Sequence, residues 1–380
     1  MINQKVRLDK VCRITMGQAP SGESYNFDGQ GLALIAGAGD FGRATPEPKK
    51  FTTEAGKKSE KGEIILCIRA TIGDLNWSDK EYCLGRGVAG LFGHPDKLDQ
   101  NFLWHWLKKN AELLKSKGKG ATFLQVTKED ISSLEIFLPP LEEQRRIASI
   151  LDKADAIREK RQQAIVKLDE LLQATFIDMF GDPVSNPKKL KLQKLSEVGN
   201  ISTGNTPSRA DEDNYGDFIE WIKSDNLNHD YDIATQASEY LSEKGKKKGR
   251  VVPSGSILVT CIAGSLSCIG NLAIVDREVT FNQQINSITP NEDIQTEYLY
   301  YLLKVSKPII QSFSTNSMKG MISKSTFSQI ELPIAPSEQQ LKFVDIFNKF
   351  SELKNKANKE LFELDNLFSG LQQKVFNGTL

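Results

Sequence analysis

The sequence predicts an α+β chain: two mixed α/β domains separated by two long helices that pair as an antiparallel coiled coil, one unit written twice. Three observations carry this. The opening pattern Leu8-x-x-Val11-x-x-Ile14-x-x-Gly17-x-x-Pro20-Ser21 returns with identical spacing as Leu195-x-x-Val198-x-x-Ile201-x-x-Gly204-x-x-Pro207-Ser208. The motif Leu138-Pro139-Pro140-Leu141-Glu142-Glu143-Gln144 is answered by Ile334-Ala335-Pro336-Ser337-Glu338-Gln339-Gln340. After each motif runs an apolar stripe at helical steps of four and three. Self-similarity at so long a period marks a duplicated architecture.

The boundaries are 1–139 for the first domain, 140–182 for the first helix, 183–335 for the second domain and 336–380 for the second helix. A chain of 380 residues exceeds one ordinary core. Each domain is a series of short apolar runs broken by Gly, Pro, Asn and Asp, with strands dominant and a helical stretch near its end. The run Gly62-Glu63-Ile64-Ile65-Leu66-Cys67-Ile68 corresponds to Gly255-Ser256-Ile257-Leu258-Val259-Thr260-Cys261, each read as a buried strand after a turn. Phe102-Leu103-Trp104-His105-Trp106-Leu107 corresponds to Tyr298-Leu299-Tyr300-Tyr301-Leu302-Leu303. The offset between copies grows from 187 residues (Leu8 to Leu195) to 196 (Leu138 to Ile334), so insertions lie in the loops of one copy.

The helices are expected to begin after Pro140 and Pro336, with Glu142, Glu143 and Glu338 suited to a helix N-terminus. Gly181 and Gly378 stand where a left-handed cap ends a helix. The predicted seam of the first helix is Ile150, Ala154, Ile157, Arg161, Ala164, Leu168, Leu171 and Thr175. That of the second is Ile346, Phe350, Leu353, Ala357, Glu360, Leu364, Leu367 and Leu371, in the same heptad register and interrupted by charge at Arg161 and Glu360. One such stripe also fits a helix packed on its own domain. Two in one register within a chain are natural partners, and the intervening domain lets the second helix run back along the first, relating the domains by an approximate two-fold axis.

Composition excludes several classes. Lys plus Arg and Asp plus Glu both number 49, so net charge gives no sign of a polyanionic partner and any basic surface must be local. Residues 1–139 carry 20 basic and 17 acidic side chains, and 183–335 carry 16 and 17. Cys12, Cys67, Cys83, Cys261 and Cys268 form no C-x-x-C pair and stand apart from His94, His105 and His229, reading as thiols of a reducing cytoplasm rather than zinc ligands. The start lacks an apolar signal core, and no run approaches a membrane span.

No catalytic motif is complete. Gly37-Ala38-Gly39-Asp40-Phe41-Gly42 fits the G-x-G-x-x-G spacing, but Pro46 and Pro48 oppose the helix such a phosphate loop needs. Its Asp40-Phe41-Gly42 lacks the other kinase motifs. The chain has no Walker loop and no Asn/Asp-Pro-Pro-Tyr/Phe tetrapeptide of an amino-methyltransferase, since its Pro-Pro lies in Leu138-Pro139-Pro140-Leu141. No persuasive nuclease cluster is present. A non-catalytic chain without metal or cofactor of its own is expected.

The repeated order of mixed domain, proline-glutamine motif and long helix resembles the DNA specificity subunits of type I restriction-modification systems over essentially the whole chain. The resemblance rests on Leu138 to Ile150, Ile334 to Ile346, the two Gly-x-x-Pro openings, Phe41-Gly42 and Ile68-Arg69-Ala70-Thr71-Ile72-Gly73. Ser337 to Lys342 departs from Leu141 to Arg146. The resemblance implies two target-recognition domains on double-stranded DNA and a helical platform for two methyltransferase subunits that use S-adenosylmethionine. Motor-nuclease subunits using ATP and magnesium join in restriction complexes. Two non-identical domains on a pseudo-dyad are expected to read an asymmetric bipartite target, with the helices setting an unread spacer.

Base readers must be polar and lie in loops, since major-groove readout pairs Arg with guanine and Asn or Gln with adenine. The candidates are Gln18, Ser21, Arg69, Thr71, Arg86 and Lys119 in the first domain, and Ser208, Arg209, Ser265, Gln283, Gln284 and Lys319 in the second. For each, the plainer alternative is a solvated surface residue. The basic run Lys244 to Arg250 offers a phosphate contact, against a solvated loop. Rival readings are a subunit serving methylation alone or a related defence complex, and, from another class, a coiled-coil adaptor that binds proteins.

Overall fold

The computed structural model describes residues 5–120, 124–229, 231–315 and 320–376. The chain divides into two compact units, one of residues 1–162 with 359–380 and the other of 163–358. Each contains one globular domain and a segment of both long helices.

Among the described residues, the globular part of the first unit holds a four-stranded and a five-stranded sheet, besides a two-stranded pairing of Lys5–Arg7 with Glu135–Phe137. The four-stranded sheet is antiparallel and runs Cys12–Met16, Val88–Gly93, Ile64–Cys67, Leu75–Trp77 in spatial order. The five-stranded sheet runs Tyr25–Asn26, Phe51–Thr52, Leu32–Ile35, Tyr82–Leu84, Lys58–Ser59, with one parallel pairing, Leu34 to Cys83. The second unit repeats these two larger sheets: Gly199–Thr203, Ile285–Pro290, Ile257–Thr260, Leu272–Ile274, and then Tyr215–Gly216, Tyr240–Leu241, Ile219–Ile222, Val279–Phe281, Val251–Val252. Its parallel pairing, Trp221 to Thr280, falls at the same place. Ile64–Cys67 and Ile257–Thr260 are buried along their length, which is why they read as unbroken apolar runs. Each follows a turn glycine in the left-handed region, Gly62 at φ 86° and Gly255 at φ 83°.

Each domain carries a ten-residue helix and leads into a long one: α1 (Gln100–Lys109) and α2 (Leu141–Phe180) in the first copy, α3 (Thr296–Val305) and α4 (Ser337–Phe376) in the second. The glutamine of the repeated motif ties each long helix to its domain. Gln144 is fully buried; its Oε1 accepts from the Asp99 N–H at 2.8 Å, and its Nε2 donates to the carbonyls of Lys97 and Pro139. Gln340 repeats two of these three bonds, accepting from the Gln295 N–H at 2.9 Å and donating to the Ala335 carbonyl at 2.7 Å. A buried amide bonded through both its oxygen and its nitrogen specifies one docking geometry.

Within each unit the two helix segments run antiparallel. In the first unit Arg158 pairs with Asp365 at 2.6 Å and Arg161 with Glu360 at 2.7 Å, one number rising as the other falls. In the second, Lys354 pairs with Asp169 at 2.8 Å. The seam itself differs from expectation in one of its two rows. Ile150, Ile157, Leu171, Leu353 and Leu367 are exposed, and Ile346 is half-buried against the second unit's core. The inward row is displaced by one residue, to Leu151, Arg158, Ile165 and Leu172 on α2 and to Phe347, Lys354, Leu361 and Phe368 on α4. The other row holds Ala154, Leu168, Phe350, Leu364 and Leu371, all half-buried. The reason is chemical. Arg158 and Lys354 hold equivalent seam positions, 196 residues apart, as do their partners Asp169 and Asp365. Arg158 also stacks on Phe368 at 4.5 Å. An arginine and a lysine in the seam leave the neighbouring apolar row looking like the better stripe. α2 ends at Gly181, in the left-handed region at φ 82°, whereas Gly378 lies outside the described residues.

Candidate nucleic-acid interface

In the first unit, backbone hydrogen bonds draw four separate segments together. The opening loop meets the 84–88 turn through Gly17 N–H to Val88 O at 2.9 Å and Gln18 N–H to Leu84 O at 2.8 Å. The turn meets the loop after Ile64–Cys67 through Ile68 N–H to Gly87 O at 2.9 Å, and that loop meets the 124–126 segment through Val126 N–H to Ile68 O at 3.1 Å. A Cβ on Gly17 would stand 2.1 Å from the Gly85 carbonyl oxygen, so the close approach requires glycine.

The second unit repeats the junction bond for bond. Gly204 N–H reaches Ile285 O, Asn205 N–H reaches Phe281 O, Cys261 N–H reaches Gln284 O and Ile322 N–H reaches Cys261 O, at 2.8–3.1 Å. A Cβ on Gly204 would lie 2.1 Å from the Asn282 carbonyl. The Gly-x-x-Pro openings recur because the framework needs them; the side chains they display differ.

The junction brings Gln18, Ser21, Arg69, Thr71, Arg86 and Lys119 onto neighbouring segments. Gln18, Ser21, Thr71, Arg86 and Lys119 are exposed. Arg69 is half-buried, its Nε donating to Gln125 Oε1 at 2.6 Å, and Lys119 and Gln125 exchange backbone bonds at 3.0 Å. Between Arg69 and Thr71, Ala70 holds φ 57°, a conformation that costs a non-glycine residue energy and clusters at functional sites. Gln125 escaped the sequence reading, because a lone glutamine far along the chain gives no sign that it orients an arginine.

In the second unit Ser208, Ser265 and Gln283 are exposed, and Gln284 is half-buried. Ser265 accepts from the Ser267 N–H at 3.3 Å, closing a short turn. Gln284 Oε1 accepts from Asn282 at 3.0 Å and Ser224 at 3.4 Å. Arg209 is held by Glu239 at 2.7 Å and lies over the rings of Tyr215 and Trp221. Lys223 and then Arg209 keep the Glu239 carboxyl below its ordinary range. Lys319 lies outside the described residues.

The basic run is not a loop. Glu243–Lys248 is a short helix whose Lys244 pairs with Asp211 at 2.9 Å and Asp213 at 3.1 Å, Lys248 with Asp211 at 2.9 Å, and Lys246 with Glu278. Only Lys247 and Arg250 of the run keep exposed side-chain charges without a partner among the described residues. The Gly37–Gly42 stretch closes on itself: Asp40 accepts from the Ala36 N–H at 2.7 Å, and Phe41 bridges to Pro46. Among the described residues no cluster of three or more His, Cys, Asp or Glu is placed to hold a metal, and no helix is long and apolar enough to cross a membrane.

Fold and junction together define a duplicated scaffold: one framework, used twice on paired helices, displaying two different sets of polar side chains. The family model for the type I restriction modification DNA specificity domain matches residues 3–167 and 187–363, and the chain belongs to that family. It is 26% identical over 421 aligned positions to the HindI specificity subunit of Haemophilus influenzae, spanning 87% of this chain and 89% of that one. It is 36% identical over 162 residues to the putative MjaX specificity subunit of Methanocaldococcus jannaschii and 30% over 179 to the MjaIX subunit. Those two alignments span only 38% and 40% of the relatives' lengths. The crystal structure of the type I system S subunit from M. genitalium shares the fold, with TM-score 0.60 at 18% identity and coverage of 98% and 96%.

Proposed function

We propose that the chain reads an asymmetric, bipartite sequence in double-stranded DNA, one half-site per domain, and catalyses nothing itself. The observation that carries this is the duplicated junction, in which identical backbone bonds present Gln18, Ser21, Arg69, Thr71, Arg86 and Lys119 in one domain and Ser208, Arg209, Ser265, Gln283 and Gln284 in the other. A fixed framework with interchangeable polar tips suits direct base readout. The helices act as the spacer and as the platform for two methyltransferase subunits. Their outward apolar side chains, Ile150, Ile157, Phe362 and Leu367 in the first unit and Leu171 and Leu353 in the second, supply surface for docking. S-adenosylmethionine belongs to those subunits, and ATP and magnesium to motor-nuclease subunits that join them in the cytoplasm.

The test is methylation mapping by single-molecule sequencing of DNA from cells carrying this chain and its methyltransferase, against cells lacking only this chain. A bipartite methylated motif that vanishes with the chain is expected. An unchanged methylome, with the methyltransferase expressed and assembled, refutes the reading.

A further inference from the structure

We infer that Arg86 and Gln283, at the tips of the two equivalent turns, are the specificity-determining residues of their domains, Arg86 reading a guanine in one half-site and Gln283 an adenine in the other. The inference rests on the proposed DNA reading and adds to it the base classes.

Position is the first argument. Arg86 lies between strands Tyr82–Leu84 and Val88–Gly93, and Gln283 between Val279–Phe281 and Ile285–Pro290. Both turns are pinned alike: Gly85 N–H reaches Ile35 O at 2.8 Å, and Asn282 N–H reaches Ile222 O at 3.0 Å. With the opening-loop and Ile68 or Cys261 bonds, each tip is fastened on three sides. In the first domain the fastening leaves no slack, since a Cβ on Gly87 would stand 2.1 Å from Ala36 O and one on Gly85 would stand 2.9 Å from Ile35 O. Rigid backbone is what precise recognition requires.

Availability is the second. Arg7, Arg13 and Arg43 are committed to carboxylates and Arg69 to Gln125. Arg86 is exposed, and its guanidinium has no side-chain partner among the described residues. Its planar fork of donors matches guanine O6 and N7. Gln283 is exposed as well, and the Thr206 hydroxyl donates to its amide oxygen. That bond orients the amide and leaves both Nε2 protons and the second oxygen lone pair for adenine N7 and N6. The neighbouring candidates are spent: Arg209 on Glu239 and two rings, Gln284 on Asn282 and Ser224.

The experiment uses the full chain assembled with its methyltransferase, on duplexes bearing the mapped motif with each base at each position, reading relative methylation rates. Arg86→Ala should abolish a roughly 5- to 150-fold guanine preference at one position of one half-site. The other half-site should be unaffected and so report intact folding. Arg86→Gln should move that position towards adenine, and Gln283→Ala should relax one adenine in the opposite half-site only. Unchanged preference at every position in Arg86→Ala overturns the assignment, as does equal loss in both half-sites; if Arg86→Ala is inactive, retained guanine preference or inactivity in Arg86→Gln does so too. A wild-type assembly that methylates no motif dependent on this chain refutes the underlying reading instead.

Discussion

Leu171 and Leu172 are adjacent on α2 and differ only in the direction they face. Leu172 is 5% exposed within the core that includes Phe176, Phe180 and Phe343, whereas Leu171 is 55% exposed. Truncation of a buried leucine loses the transfer free energy of its side chain, ~2 kcal/mol, and leaves a cavity that rigid neighbours only partly close, so Leu172→Ala is expected to cost about 3 kcal/mol. At position 171 somewhat under half of the side chain is buried, the space left opens to water, and alanine is the slightly better helix former. Leu171→Ala should therefore cost under about 1 kcal/mol. The assay is urea unfolding of the full chain followed by far-ultraviolet circular dichroism, comparing midpoint shifts. Equal losses, or a greater loss at Leu171, would restore the seam that the apolar pattern suggests and refute the displaced row. The same Leu171→Ala variant should lose methyltransferase affinity, measured by co-purification, if the exposed row docks that subunit.

Two further outcomes rest on buried chemistry. The Arg277 guanidinium donates to both oxygens of Glu220, at 2.5 and 2.8 Å, and this bond is the first cause holding the mostly buried carboxyl below its usual value. A depressed folded pKa contributes stability that is fully present above the unfolded value near 4.5 and is lost as pH falls through the folded one. Glu220→Gln should thus cost about 1–2 kcal/mol at neutral pH, with the difference from wild type shrinking in acid below that window, as read by chemical unfolding at several pH values; a difference independent of pH would be contrary to this assignment. Burial pushes the thiols of Cys12 and Cys261 up to about 12 and raises that of Cys83, while Cys268 is half-exposed. Iodoacetamide at pH 8 should label Cys268 first in the native chain and the other four only on unfolding, detected by peptide mass spectrometry; early labelling of Cys12 or Cys261 would contradict the packing.

The duplication, the glycine-led buried strands, the presence of two long helices and the family were legible in the sequence, because spacing, period and turn residues are properties of a line. Arg86 and Gln283 could be named as polar loop residues on the same grounds. Which of the named residues share a surface was decided by contacts between distant segments: Gly17 against Gly85, Ile68 against Val126, and their counterparts Gly204 against Asn282 and Cys261 against Ile322. Arg86 differs from Arg209, which carries the same charge, because a further contact between distant residues pairs Arg209 with Glu239. The seam was half legible for a related reason. Apolar periodicity locates a stripe to within one residue, but Arg158 and Lys354 sit in it because Asp365 and Asp169 stand opposite. A charge becomes a core residue only when its partner arrives from elsewhere in the chain, and that arrival belongs to the tertiary structure alone.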